Sequence, residues 1–231
     1  MKRFPQLFFI IAALFISGAF VACENDKDEE SAGPMQADKA IAITKSVMDE
    51  SNMAFSATPS SMKKQLAKPQ EQVFDTVVSF TSDSINFEYS LSITYDVTQN
   101  DQGLLMTNSL DASGEYDGPR ISKNSSYTSD YSILIASDGT AMTMTINGES
   151  HHTGSMTLKA FEGNTYQHDI TVTYDNISAS SAGFSSGSGS ISGTVEGPNG
   201  TYSIEGSIAF NADGSAELTV NGESTPVSIE M

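Results

Sequence analysis

From Ile85 to Val97 every second residue is apolar: Ile85, Phe87, Tyr89, Leu91, Ile93, Tyr95 and Val97 alternate with Asn86, Glu88, Ser90, Ser92, Thr94 and Asp96. Side chains along a strand point alternately to its two faces, so this run is a strand with one buried face and no helical alternative. Each buried side chain of this kind contributes roughly 1.5–3 kcal/mol, and a one-residue slip in pairing would expose all of them. The same period recurs in Leu104, Met106, Leu110; in Tyr127, Tyr131, Ile133, Ile135; in Tyr166, His168, Ile170, Val172, Tyr174; and in Tyr202, Ile204, Ile208, Phe210.

Part of that recurrence is an internal repeat. Asn124 to Ser150 and Asn199 to Ser224 share a tyrosine (Tyr127, Tyr202), an Asp-Gly pair (Asp138-Gly139, Asp213-Gly214) and a closing Asn-Gly-Glu-Ser. Upstream, Ile93-Thr94-Tyr95-Asp96 answers Val172-Thr173-Tyr174-Asp175, and Ser113-Gly114 to Gly118-Pro119 answers Ser192-Gly193 to Gly197-Pro198. The copies span about 85–158 and about 164–230. Each is about half of an ordinary domain, so the two are expected to share one core.

Turn chemistry punctuates the runs. Asn147-Gly148 and Asn221-Gly222 suit two-residue hairpin turns, which need positive φ at both central positions. The Asp-Gly pairs, Gly118-Pro119 and Gly197-Pro198-Asn199-Gly200 serve likewise, and His151-His152 is expected in a polar turn. No gap is long enough for a helical crossover, so neighbouring strands should be antiparallel. The pattern predicts five strands per copy plus a lead strand from Val73 to Phe80, with a Ser/Gly-rich loop from Ser178 to Gly187. Gly114, Gly193 and Gly206 interrupt apolar faces, where a sheet is expected to bend.

Ahead of the strands the period changes. Ala40, Ile41, Thr44, Val47, Met48 and Phe55 fall on one helical stripe within Gln36–Phe55, with Lys39, Lys45, Asp49 and Glu50 mostly off it. Thr58-Pro59 opens a second short helix that Pro69 closes, carrying the basic cluster Lys63, Lys64 and Lys68. The expected architecture is mainly β: an antiparallel up-and-down meander of ten or eleven strands, forming a barrel or half-barrel with an N-terminal helix packed on it. That order is similar to the half-barrel of periplasmic lipoprotein carriers and, less closely, to lipocalins.

The formal net charge is −18, and from Glu71 onward the basic residues Arg120, Lys123 and Lys159 stand against twenty-one acidic ones. Such a surface repels nucleic acid and anionic lipid alike, since both are bound through Lys and Arg. Its membrane connection is expected at the N-terminus instead. Lys2-Arg3 followed by the apolar run Leu7 to Ile16 has the form of a secretion signal, residues 1–22. Cys23, the sole cysteine, follows Phe20-Val21-Ala22, a placement that resembles the lipobox of bacterial lipoproteins, with Phe20 in place of the usual Leu. The resemblance implies cleavage before Cys23 and lipid attachment to it. Residues 23–34 form an acidic tether, in which Lys27-Asp28-Glu29 resembles the export signal of Bacteroidetes-type surface lipoproteins. That similarity implies an outer-membrane lipid anchor with the chain facing outward. Residues 35–231 then make a single β domain, with 35–70 as its helical lead.

No residue set points to catalysis or to a cofactor. Gly183-Phe184-Ser185-Ser186-Gly187 spells a nucleophile elbow, but that motif works only on a strand-to-helix turn of a parallel sheet. His151-His152 has no third metal ligand at suggestive spacing, and the acidic turns lack the Asp-x-Asp-x-Asp-Gly calcium loop. The expected function is non-enzymatic: a β domain that binds an apolar small ligand or an envelope protein partner. The alternative is a structural or adhesive module with a filled core. A ligand would be lined by Phe87, Tyr89, Tyr166 and His168, the last standing where the other copy has Tyr89.

Overall fold

The computed structural model describes residues 39–47, 72–82, 86–137, 142–159, 163–180, 183–213 and 215–228. Residues 39–47 form a helix, α1. The strands are β1 (Gln72–Thr81), β2 (Asn86–Asn100), β3 (Gly103–Asp117), β4 (Ile121–Ser137), β5 (Met142–Leu158), β6 (Asn164–Ser180), β7 (Gly183–Gly197), β8 (Gly200–Phe210), β9 (Ser215–Val220) and β10 (Glu223–Ser228). They pair strictly in chain order into one ten-stranded antiparallel sheet. Among the described residues β1 and β10 each pair with one neighbour, so the sheet is not closed.

Alternation decides which face is covered. Tyr89, Leu91, Ile93, Tyr95 and Val97 on β2 are buried, while Glu88 and Ser90 beside them are exposed. Met106, Leu110 and Ala112 of β3, Tyr127 to Ile135 of β4 and Tyr166 to Tyr174 of β6 continue the same inner face. Helix α1 belongs to this core: Ala40, Ile43 and Val47 are wholly buried in one cluster with the strand residues. Ile43, three residues after Ala40 and four before Val47, shares their face although the expected stripe did not include it, and Lys39 and Ser46 are buried as well. A nine-residue helix laid on a broad sheet has its flanks covered by neighbouring side chains, so more than one narrow stripe is enclosed. Met48, Phe55 and the second helix fall outside the described residues.

Inward tyrosines lie over glycines on the adjacent strand. A Cβ built on Gly114 would stand 2.8 Å from Tyr89 Cγ and would fall onto the Glu88 carbonyl oxygen. One on Gly197 would meet the Tyr166 ring at 2.7 Å, and one on Gly148 the Tyr131 ring at 2.5 Å. On Gly193 and Gly206 it would strike the carbonyl oxygens of Asp169 and Thr219. Glycine at these interior positions is therefore set by close approach of the neighbouring strand.

The two Asn-Gly pairs part company. Asn221-Gly222 is the expected tight turn, joining β9 to β10 with φ of 49° and 89°. Its asparagine amide also pairs with the edge of β8, accepting from Glu205 N–H at 2.9 Å and donating to the Ser203 carbonyl at 3.2 Å. Asn147-Gly148 is no turn but lies inside β5. Pairing with β4 runs unbroken through it, since Ser132 and Tyr131 still offer partners. Towards β6 the register shifts between Ile146 and Gly148, and Asn176, itself at φ 49°, donates its N–H to Asn147 Oδ1 at 2.8 Å. Residues 85–158 thus form four strands, β2 to β5, and residues 164–230 form five, β6 to β10, in place of the five expected in each.

Two further expectations give way to the same continuity. His151-His152 sits in the middle of β5, where Thr128 and Tyr127 pair with it, and not in a turn. The stretch from Ser178 to Gly187 is strand at both ends, β6 running to Ser180 and β7 starting at Gly183, with register shifts at Ser178. Ser and Gly carry little to pack, but their backbone pairs as well as any other. Gly183 to Gly187 consequently lies in an antiparallel strand, without the helix a nucleophile elbow needs. Of the Asp-Gly pairs, Asp213 is in the β8–β9 turn, where it accepts from Ser215 N–H at 2.9 Å, while Asp138-Gly139 lies outside the described residues.

Replacing Gly114 by alanine should destabilise the protein by roughly 1–3 kcal/mol, because the methyl group has no space and β3 must shift. Ser113→Ala, on the exposed face one residue away, should change stability by no more than about 0.5 kcal/mol. Urea unfolding of both variants checks the contrast.

Candidate functional site

The sheet register fixes which inward side chains are neighbours. Tyr89, Gly114, Ser125, Gly154 and His168 form one transverse row from β2 to β6. Phe87, Tyr116, Lys123, Met156 and Tyr166 form the next. The four side chains expected to line a ligand therefore lie at one end of the inner face, Phe87 and Tyr89 on one side and Tyr166 and His168 on the other. Cys23, Lys27, Asp28 and Glu29 fall outside the described residues.

This end is packed. Tyr89, Tyr166 and His168 are 5%, 2% and 4% exposed, and Phe87 is half-buried against the same cluster. The glycine at position 114 lets the Tyr89 ring cross β3, and its hydroxyl comes within 3.3 Å of Ser125 Oγ on β4. Lys123 points inward beside it and donates from Nζ to the Ser46 carbonyl of α1 at 2.8 Å. A charged head inside an apolar face is costly unless it finds acceptors, and a helix carbonyl is a good one. The row thus ties helix to sheet.

One row further along, His152 on β5 is wholly buried. Its ring stacks on Tyr127 of β4, with centroids 4.9 Å apart and planes inclined by 14°. Its Nε2 lies 3.0 Å from Ser150 Oγ. A serine and a histidine in hydrogen-bond contact have the form of a nucleophile and base. Both are enclosed by the core, however, leaving no approach for a substrate. His151, on the outer face of the same strand, meets Asp169 Oδ1 at 2.7 Å in an exposed pair that adds little to stability.

The interior cations and imidazoles are Lys39, Lys123, His152 and His168, and no buried carboxylate is found among the described residues. Nor do the described residues gather three or more His, Cys, Asp or Glu side chains that could hold a metal ion. Ser125, Lys123, Ser150 and His152 had been missed in the sequence because their polar identity hides an unbroken phase. Positions 123 to 135 alternate without interruption, and from 144 to 158 every buried position is even-numbered, so extending the apolar parity through both stretches places all four inside.

The outer face carries a shallow, open groove of about 740 Å³ across β1 to β4. Asp75, Ser92, Asp111 and Thr128 form one transverse row along it, and Val77, Ser90, Ser113 and Ser126 the next. Small hydroxyl side chains alternate there with Val77 and the strand backbone, with a carboxylate on β1 and another on β3. No family model, curated protein or solved structure matches the chain.

Burial acts most strongly on two tyrosines that tilt together at 5.9 Å, Tyr131 and Tyr174. Burial pushes the Tyr131 phenol up to about 12, against a smaller lowering by the Ser150 and Ser129 hydroxyls. Tyr174 is also raised, by burial and then by Tyr131. A raised folded-state pKa means that stability is intact below the unfolded value of about 10 and is withdrawn as pH climbs towards the folded value. Stability should therefore fall steeply between about pH 10 and about 12, by on the order of 2–3 kcal/mol from Tyr131. Tyr131→Phe should move the alkaline unfolding midpoint upward, as read by circular dichroism and tyrosinate absorbance.

Proposed function

We propose that this chain is a lipid-anchored protein of the bacterial cell envelope, displayed on the outer membrane, whose β domain is a non-enzymatic, partner-binding module with a filled core. The anchor is lipid on Cys23, outward display follows from Lys27-Asp28-Glu29, and the tether to residue 34 holds the domain off the membrane. Several acyl chains on one residue anchor stably where one would not.

The observation that carries the choice of a filled module over an apolar-ligand carrier is the packing of the inner face. Tyr89 is spent on contacts with Gly114 and Ser125 and Tyr166 on Gly197, Phe87 packs against the same cluster, His168 is buried, and α1 occupies the same core. Such an interior leaves the outer surface to do the binding. That surface is rich in hydroxyls and carboxylates and carries few cations, so its partner is a protein or other molecule that tolerates a strongly acidic neighbour. Among the described residues no helix is long and apolar enough to cross a membrane.

In this reading the sheet is a curled half-barrel made by tandem duplication. Support comes from Tyr95 and Tyr174, which face inward in one transverse row, and from Gly114 and Gly193, each pressed against the backbone of the preceding strand.

Labelled palmitate should be incorporated by the full-length protein in cells and lost in Cys23→Ala; unchanged labelling rejects the anchor. External protease should cut the displayed protein on whole cells, and replacing Lys27, Asp28 and Glu29 by alanine should abolish that cleavage while keeping the label. An environment-sensitive apolar dye should show no saturable binding to the protein released from membranes. Saturable binding altered by Tyr89→Ala would restore the ligand-carrier reading.

A further inference from the structure

The two ends of the sheet differ. β10 has six residues and contains Pro226, which cannot donate to a further strand, so it makes a poor template for pairing. β1 has ten residues, contains neither proline nor lysine, and pairs along its whole length with β2 alone among the described strands. Its outward positions are Val73, Asp75, Val77 and Ser79. Val73 and Val77, at 64% and 60% exposure, are the exposed large hydrophobic residues of the described protein.

A long edge of this kind invites another strand, and the question is whose. In a two-fold pair of β1 strands, the register that sets Val73 against Val77 of the second copy also sets Asp75 against its own counterpart. Like charges directly opposite are destabilising, and each copy brings a net charge of −18. A heterologous strand has no such conflict if it carries a basic residue opposite Asp75 and apolar residues opposite the valines. Space for that residue exists: the outer groove begins at Asp75 and Val77 and continues over Ser90 and Ser92, whose short side chains let a long basic chain lie across β1. Asp111 stands further along the same row as a second carboxylate.

We infer that β1 is a docking strand, and that its partner is an extended protein segment with an apolar–basic–apolar pattern on alternate residues, added antiparallel or parallel to the β1 edge. Main-chain pairing supplies affinity, and Asp75 between Val73 and Val77 selects the sequence. This rests on the partner-binding reading above and gives it a site.

The test uses the full-length protein in detergent and two fluorescent peptides, Thr-Val-Thr-Lys-Thr-Val-Thr and the same peptide with Glu at its centre, followed by anisotropy. The lysine peptide should bind saturably at low salt, and the glutamate peptide about fivefold or more weakly. Asp75→Lys should reverse that order, and Val77→Lys should weaken the lysine peptide by a similar factor, with circular dichroism unchanged in both variants. Absence of saturable binding by either peptide overturns the proposal. Equal binding of both peptides, indifferent to Asp75, overturns the selective role of the carboxylate. A concentration-dependent dimer that Val77→Lys dissociates assigns the edge to a second copy and overturns the heterologous partner. Loss of palmitate labelling would fail the anchor without touching these outcomes.

Discussion

The inner surface of this sheet depends on tyrosine rings laid over glycines of the neighbouring strand. A ring laid flat across the neighbouring strand needs a position there that carries no side chain, and glycine supplies it. Tyr89 does so over Gly114, Tyr131 over Gly148, and Tyr166 over Gly197. The glycine, which would otherwise weaken a strand, gains a ring to cover its backbone, and the ring gains a flat bed. The contact also carries the Tyr89 hydroxyl past its nearest neighbour to Ser125 on the second strand away.

This arrangement explains how an interior with many polar atoms remains closed. The hydroxyls and imidazoles of Tyr89, Ser125, Ser150 and His152 meet one another within the sheet face, and Lys123 reaches a helix carbonyl. Among the described residues the carboxylates face the other way. With acidic groups outside and hydroxyls, imidazoles and two lysines inside, the large negative charge is kept in water, where screening limits self-repulsion.

The meander and its inner face were legible wherever apolar residues mark alternate positions, as from Phe87 to Val97, because a one-residue slip there has a large cost. They were harder to read where polar residues keep the phase. Lys123, Ser125, Ser150 and His152 keep the parity of their apolar neighbours, but a polar side chain does not announce a buried face, and the partners that make its burial tolerable, such as the Ser46 carbonyl for Lys123, lie elsewhere in the chain. The two Asn-Gly pairs mark the limit of local reasoning. The dipeptide permits a turn, and the strand alongside decides: β4 continues to offer pairing past Asn147, whereas Asn221 turns and closes the β8 edge with its own amide. The residues expected to line a ligand lie at one end of one face, with Tyr89 laid against Gly114 and Ser125 and Tyr166 against Gly197. Spacing in a sequence reports which face a side chain takes, and whether that face is full is a matter of volumes.

Strict chain-order pairing has a consequence for how the molecule is made. Every described strand finds its partner in the stretch just before or just after it, so the sheet can grow hairpin by hairpin without waiting for a distant segment. Helix α1 is the exception. It is delivered before any strand, yet the lysine that holds Ser46 lies 77 residues later. Closing so long a loop becomes favourable only once β4 presents a formed surface. The first part of the domain to arrive is therefore among the last to be locked, and until then the growing sheet carries its apolar face uncovered.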